Sequence, residues 1–86
     1  MSGLVVSIIT PKALHSKTTT DMVVVNAANG ELGIMKGHIA VSSILKAGEV
    51  RFYNGENLVK SVKIESGFIE FLNDECTILT EAVLGE

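Results

Sequence analysis

The chain has 86 residues, of which 47% are hydrophobic and 20% charged, and its formal net charge is −3. A chain of this length supports one small domain, and this balance is typical of a globular protein rather than a disordered one. The mean hydropathy of +0.38 is high for a small domain. Part of the apolar surface is therefore expected to meet a partner.

Charge and composition exclude several classes of function. No apolar stretch approaches the ~20 residues of a membrane helix, and the start of the chain lacks the pattern of a secretory signal. The sequence has no block of Lys and Arg, which argues against a nucleic-acid partner. Cys76 is the only cysteine, so an internal disulfide and cysteine-rich zinc sites are excluded. His15 and His38 have no third metal ligand at a recognisable spacing, and the chain is expected to be cytosolic.

Short runs of β-branched and apolar residues alternate with turn signals along the chain. The runs are Leu4–Thr10, Thr18–Asn26, Ile39–Leu45, Val50–Tyr53, Leu58–Ile64, Phe68–Leu72 and Cys76–Val83. Strand-length segments at this spacing indicate a sandwich or barrel, and no segment has the periodicity of a long amphipathic helix. The predicted fold class is all-β.

Glycine, Asn and Asp residues mark the predicted turns. Asn54-Gly55 is the strongest hairpin signal because a type I′ turn favours these residues at its two central positions, and Asn73-Asp74 is a weaker one. The segment Gly30–Gly33 is predicted to form a turn followed by a bulge at Gly33. It is not predicted to bind phosphate, because it lacks the lysine of a P-loop and no helix follows it.

Alternation within two of the runs predicts which side chains face the core. Leu58, Val62 and Ile64 are predicted to face inward. Lys60 shares their side of the strand, so it must lie near an edge or extend its ammonium group towards solvent. The run Phe68–Leu72 is apolar on both sides, so it either lies between two layers or presents one face to another protein.

The sequence contains no arrangement typical of an active site. His38 lies at a turn-to-strand junction, and no nucleophile-elbow motif surrounds the nearby Ser42-Ser43, so a structural or interface role is favoured over catalysis. Cys76 lies in a strand pattern and is expected to be a small buried hydrophobe. Asp74-Glu75 are adjacent acids at a turn, and the simplest expectation is that both are solvated. No catalytic, cofactor-binding or metal-binding residue is predicted.

One segment, Asn29–Ala40, resembles the Glu-Gly-Glu-Leu-Gly-Ile/Val-x-Pro-Gly-His-Ala-Pro segment of the F-type ATP synthase epsilon subunit. Further blocks follow in the family's order, namely Leu45–Arg51, Ser66–Phe71 and Thr77–Ala82, and the opening Leu4–Pro11 also agrees. The chain departs from the family at Lys36, Ala40 and Ala47, where prolines are usual, and at Ser66, where a glycine is usual. The blocks together are specific and extend over nearly the whole chain.

The resemblance implies a flattened antiparallel β-sandwich of about ten short strands in two sheets, forming one domain over residues 1–86. It also implies a non-catalytic rotor subunit in the central stalk of an ATP synthase, coupling proton translocation to ATP synthesis. The expected location is the cytoplasmic face of the bacterial inner membrane, with membrane contact only through the complex. The family's C-terminal helical hairpin would lie beyond Glu86, so neither ATP binding nor inhibition by that hairpin is expected.

The same resemblance implies two partner-binding segments. The first is expected to contact the c-ring and comprises Ala28, Asn29, Gly30 and Glu31. The second is expected to contact the gamma subunit and comprises His38, Ile39, Ala40, Val41, Ser42 and Ser43. The alternative is a freestanding β-sandwich module that binds a protein or a carbohydrate, although the chain lacks Trp and an aromatic cluster.

Overall fold

The computed structural model describes residues 3–86, and these residues form strands and turns with no helix. The strands are β1 (Leu4–Ile9), β2 (Leu14–Thr20), β3 (Met22–Ala27), β4 (Gly30–Met35), β5 (Val41–Leu45), β6 (Gly48–Asn54), β7 (Asn57–Ile64), β8 (Gly67–Leu72), β9 (Glu75–Thr80) and β10 (Val83–Gly85). The described part of the chain therefore has no helix long and apolar enough to cross a membrane.

The ten strands form two layers that remain joined by hydrogen bonds. One layer has the order β10-β7-β6-β3, with β4 also paired to β3, and the other has the order β5-β8-β9-β1-β2. They are connected through a single residue pair, Ala27 of β3 and Leu45 of β5. The sheet thus curls over at this point and encloses its own inner face.

The core is built almost equally from the inner faces of the two layers. The layer containing β3 contributes Val23, Val25, Ala27, Ile34, Val50, Phe52, Val62 and Ile64. The layer containing β1 contributes Leu4, Val6, Ile8, Leu45, Ile69, Phe71, Cys76 and Ile78. These side chains occupy alternate positions along their strands, as expected where one face of each strand is buried.

The predicted all-β sandwich of about ten short strands is confirmed, with two differences in its pairing. The layers are not separate sheets, because the Ala27–Leu45 pair joins them. The pairing is also not wholly antiparallel, since β1 and β9 run parallel from Val5–Glu75 to Ile9–Leu79. A parallel pair requires a long connection, and all of β2 to β8 lies between these two strands.

Both predicted hairpins are present, but the type I′ turn is at Asn73-Asp74 and not at Asn54-Gly55. In the β6–β7 hairpin Asn54 pairs with Asn57, so the central residues are Gly55-Glu56, and only Gly55 has positive φ (62°). In the β8–β9 hairpin Asn73 and Asp74 have φ values of 51° and 63°. Positive φ at both central positions is the requirement of a type I′ turn.

Strand β7 departs from simple alternation at its beginning. The register shifts between Phe52 and Tyr53, which places Leu58 opposite Tyr53. The predicted inward orientation of Leu58 is therefore wrong, and Leu58 is 53% exposed. Lys60 is half-buried. Its Nζ lies 5.6 Å from the centre of the Phe52 ring and donates to Thr18 Oγ1 on β2 at 3.3 Å.

Candidate partner-binding surfaces

The segment Ala28–Glu31 forms the exposed tip of the β3–β4 hairpin. Gly30 takes a φ of 126° at the point where β4 begins. The backbone N–H of Ala28 donates to the carbonyl of Ile44 at 2.9 Å, so this tip lies beside the end of β5. The predicted bulge at Gly33 is wrong, because β3 and β4 pair in unbroken register along the whole of β4.

Glu31 has an internal partner that the sequence did not reveal. Arg51 Nη2 on β6 donates to Glu31 Oε2 at 2.5 Å, and the two side chains are 26% and 62% exposed. This contact raises the pKa of the Arg51 guanidinium above its usual value. Among residues 3–86 no hydrogen-bond donor contacts the other carboxylate oxygen, Oε1, and the Glu31 side chain is mostly exposed. An external cation can therefore bind Glu31 only by sharing its carboxylate with Arg51.

The segment His38–Ser43 leads from the β4–β5 connection into β5. The edge of the His38 ring packs on Phe71, with ring centres 6.0 Å apart and planes at 79°. Its Nδ1 lies 2.7 Å from the carbonyl oxygen of Ile39, a residue that is 78% exposed. Within β5, Ser43 is on the side of the core and Ser42 faces outward. The segment thus exposes Ile39 and Ser42 on the surface.

An apolar row crosses the outer face of the layer that contains β5. Ile44 pairs with Phe68, Phe68 with Leu79, and Leu79 with Ile9, so four strands contribute to it. Ile44 is 64% exposed and Leu79 is 47% exposed. An open cleft of about 460 Å³ lies over this row, with Pro11 at one side. The two-sided apolar pattern of Phe68–Leu72 had predicted that this run lies between two layers or presents one face to another protein, whereas sequence reasoning gave Ile9 and Leu79 no role in binding.

A second apolar row crosses the outer face of the other layer. Leu58 pairs with Tyr53, Tyr53 with Met22, and Met22 with Met35. Met35 is 56% exposed. The two outer faces therefore each carry one apolar row, but only the first row is continuous with a predicted partner-binding segment, because Ile44 directly follows Ser43.

The position of Asp74 in a turn predicted a solvated side chain, but its carboxylate has two partners within the protein. Its Oδ1 accepts the backbone N–H of Gly37 at 2.7 Å, and its Oδ2 accepts a hydrogen bond from Lys36 Nζ at 3.1 Å. The hydrogen bond from Gly37 and the one from Lys36 hold the pKa of the Asp74 carboxyl below its usual value. Adjacent acids in a turn gave no signal for this contact, because its partners lie 37 and 38 residues away.

The remaining candidates for chemistry have structural roles. Cys76 is buried as predicted, and burial raises the pKa of its thiol to about 12. A thiol that stays protonated at neutral pH is a poor nucleophile. His15 Nε2 lies 2.9 Å from Glu86 Oε2, which joins β2 to the end of the described chain. Within residues 3–86 no group of three His, Cys, Asp or Glu side chains could hold a metal ion.

The fold is a small β-sandwich whose outer faces each carry an apolar row and whose turns expose polar side chains. Residues 3–86 match the family ATP synthase, Delta/Epsilon chain, beta-sandwich domain. The chain belongs to this family.

Curated relatives agree with this assignment. The chain is 40% identical over 82 residues to the ATP synthase epsilon chain of Alkalihalophilus pseudofirmus, covering 95% of this chain and 61% of that protein. It is 31% identical over 81 residues to the ATP synthase epsilon chain of Granulibacter bethesdensis, covering 94% of this chain and 60% of that protein. The chain thus spans about three fifths of the length of these relatives.

Solved structures show the same fold. A chain in the Euglena gracilis mitochondrial ATP synthase (OSCP, F1 and c-ring, rotational state 1) matches with a TM-score of 0.82 at 15% identity, covering 99% of this chain and 54% of that one. A chain in the central stalk and c-ring of the Tetrahymena thermophila mitochondrial ATP synthase matches with a TM-score of 0.74 at 15% identity, covering 94% and 65%.

Proposed function

We propose that this chain is the β-sandwich part of an epsilon subunit in the central stalk of an ATP synthase. The observation that carries this conclusion is the family match over residues 3–86, together with relatives that are ATP synthase epsilon chains. In this role it links the gamma subunit to the c-ring and couples proton translocation to ATP synthesis without catalysing a reaction itself. It acts at the cytoplasmic face of the bacterial inner membrane and contacts the membrane only through the complex.

The gamma subunit binds the segment His38–Ser43 and the outer face that continues from it. Ser42 and Ile44 point outward from β5, and the apolar row that begins at Ile44 extends over three further strands. A surface with an apolar centre and a polar margin is typical of a stable protein interface. Ser42, paired with Glu70 on β8, lies at that margin.

The c-ring binds the turn Ala28–Glu31. The turn is exposed, and Glu31 supplies a mostly exposed carboxylate of which only Oε2 contacts its internal partner Arg51. An arginine or an amide in a polar loop of the ring could donate to the other oxygen, Oε1. Because the contact is exposed, its electrostatic contribution is expected to be about 0–1 kcal/mol.

The family match disfavours a freestanding binding module. We also infer that this part of the subunit does not bind ATP. Gly30–Gly33 runs from the turn into strand β4, and residues 3–86 present no helix N-terminus at which phosphates could bind. Isothermal titration with ATP and Mg²⁺ should give no saturable heat, and binding with a stoichiometry near one would contradict the inference.

The gamma-binding surface is tested by a matched pair of serine substitutions. Ser42→Arg places a long cation at the margin of the proposed interface, whereas Ser61→Arg places the same side chain on the outer face of the other layer, opposite Arg51. We expect Ser42→Arg to weaken binding to purified gamma subunit by about tenfold or more, and Ser61→Arg to leave it unchanged. Equal affinity for the two variants and the wild type would reject this surface.

The c-ring contact is tested by disulfide crosslinking. Glu31→Cys and a cysteine in the polar loop of the c subunit should crosslink in the assembled enzyme, and the native Cys76 is buried, so background reaction is low. Glu56→Cys in the β6–β7 turn is the control, because it is exposed in another turn. Crosslinking at Glu56 but not at Glu31 would reject the assignment of the turn.

A further inference from the structure

Asp74 connects two turns that are far apart in sequence. It is the second central residue of the β8–β9 turn, and its carboxylate faces the β4–β5 connection, residues 36–40. Oδ1 accepts from the backbone of Gly37 at 2.7 Å, and Oδ2 accepts from Lys36 Nζ at 3.1 Å. Because the two oxygens bind different groups, the carboxylate is fixed in orientation as well as in position.

These contacts lie immediately before the segment proposed to bind gamma. The backbone N–H of His38 donates to the carbonyl of Met35 at 3.0 Å, which turns the chain back after Lys36-Gly37. The His38 ring then packs on Phe71, which is in the same hairpin as Asp74. The three residues that precede the exposed Ile39, namely Lys36, Gly37 and His38, are thus each held in place by the β8–β9 hairpin or by the end of β4.

We propose that Asp74 is a positioning residue for the partner-binding segment His38–Ser43. Its carboxylate holds Gly37 and Lys36 so that the segment has its binding conformation before the partner arrives. This role rests on the proposed binding of gamma by that segment. A segment that is ordered in advance avoids the entropy cost of ordering it on association, so its affinity is higher. Asp74 itself need not contact gamma.

The hairpin that carries Asp74 does not depend on its side chain. Strands β8 and β9 pair over six residue pairs, and the backbone carbonyl of Asp74 accepts the N–H of Val5 at 3.0 Å. At a φ of 63° glycine is favoured and Asn is well tolerated. Asp74→Gly and Asp74→Asn therefore change the carboxylate while they leave the backbone unstrained.

The two variants separate the two contacts. Asp74→Asn keeps an acceptor oxygen for the N–H of Gly37 but loses the charge that faces Lys36. Asp74→Gly loses both contacts. Asp21→Asn is the control, because Asp21 Oδ2 accepts the backbone N–H of Gly55 at 3.0 Å, a comparable carboxylate–glycine contact beside the β6–β7 turn.

Two measurements on the full chain test the role of Asp74, namely amide hydrogen exchange of Gly37 and titration calorimetry with purified gamma subunit. We expect Asp74→Gly to speed exchange at Gly37 and to weaken gamma binding, each by about five- to tenfold. This is the effect of losing the Gly37 hydrogen bond, since the exposed Lys36 contact contributes little. Asp74→Asn should restore slow exchange and most of the affinity. Asp21→Asn should alter neither.

The outcomes distinguish this inference from the function on which it rests. If the wild type does not bind gamma, the proposed function fails and the role of Asp74 fails with it. If the wild type binds and Asp74→Gly binds equally well, the role of Asp74 alone is overturned, and its contacts are only structural. Unchanged exchange at Gly37 in Asp74→Gly, or an equal loss of affinity in Asp21→Asn, would also overturn it.

Discussion

The two segments proposed to bind partners are held in place by different kinds of interaction. The turn Ala28–Glu31 is fixed by backbone pairing, through the unbroken β3–β4 ladder and the hydrogen bond from Ala28 N–H to the Ile44 carbonyl. The connection before His38 is instead joined to the β8–β9 turn by one side chain, because the carboxylate of Asp74 binds both Lys36 and Gly37.

This difference predicts how each segment responds to change. Backbone hydrogen bonds do not titrate in the ordinary pH range, so the β3–β4 turn should keep its position in acid and tolerate side-chain substitution. A carboxylate loses its charge in acid and can be removed by a single substitution. The segment His38–Ser43 should therefore be the more sensitive of the two.

The largest effect is expected from removing an aromatic side chain of the core beneath His38. Phe71→Ala and Phe52→Ala both empty positions that are at most 1% exposed, and each should lower the free energy of unfolding by about 3–5 kcal/mol. Only Phe71 touches the His38 ring, so only Phe71→Ala should shift the His38 ring proton resonances strongly. Chemical denaturation and NMR give the two readouts.

A milder variant keeps this comparison in a folded protein. Phe71→Leu retains an apolar side chain but removes the aromatic ring current, so it should also shift the His38 resonances. Equal shifts in Phe52→Ala would show that His38 responds to general loosening of the core rather than to Phe71.

The next effect tests the backbone pairing of β8 with β9. A Cβ on Gly67 would lie 2.2 Å from the carbonyl oxygen of Leu79, a backbone atom that can move only if β8 and β9 separate. Gly67→Ala should therefore cost about 2–3 kcal/mol of unfolding free energy. Gly85→Ala is the control, because a Cβ there meets nothing within 4 Å. Similar stabilities of the two variants in denaturant would show that β8 and β9 can move apart at Gly67 with little loss of stability.

Sequence patterns predicted most of the strands because these depend on local alternation. The single predicted run Thr18–Asn26 is divided at Asp21 between β2 and β3, and β4 (Gly30–Met35) was predicted only as a turn and a bulge. The patterns failed where the orientation or pairing of residues in one strand depends on a different strand. Leu58 points outward because of a register shift against β6, which simple alternation along β7 does not reveal. The parallel β1–β9 pair is likewise a property of the whole topology.

The candidate surfaces were only partly predictable for the same reason. The residues of the β3–β4 turn and of His38–Ser43 were found through their resemblance to a family, and that assignment stays a prediction for each residue. The contacts Asp74–Gly37 and Glu31–Arg51 span 37 and 20 residues, and each joins two elements that only the folded sheet brings together. A carboxylate in a turn gives no sign of its partner until the fold is known.

A smaller effect on stability is expected when acid protonates Asp74 and weakens its contacts with Gly37 and Lys36. The pKa of Asp74 is lowered in the folded protein by the Gly37 hydrogen bond and by Lys36, so folding favours the ionised form. This contribution is complete above about pH 4, the ordinary Asp value, and is lost as pH falls through the lowered pKa of the folded state. The stability difference between wild type and Asp74→Asn should therefore be present at pH 7 and shrink in acid. A difference independent of pH in denaturant titrations would contradict this.

The smallest effect is expected from the Glu31–Arg51 ion pair at the other segment. Glu31 is mostly exposed, so a double-mutant cycle with Glu31→Gln and Arg51→Met should give a coupling of about 0.2–1 kcal/mol. The coupling should weaken in about 1 M salt, where the screening length is about 3 Å. Backbone amide resonances of Ala28 and Asn29 should remain in place in both single variants, because the strand ladder and the Ile44 carbonyl hold the turn. Displaced resonances, or a coupling well above 1 kcal/mol, would mean that this turn also depends on a charged side chain, and the contrast with the segment held by Asp74 would disappear.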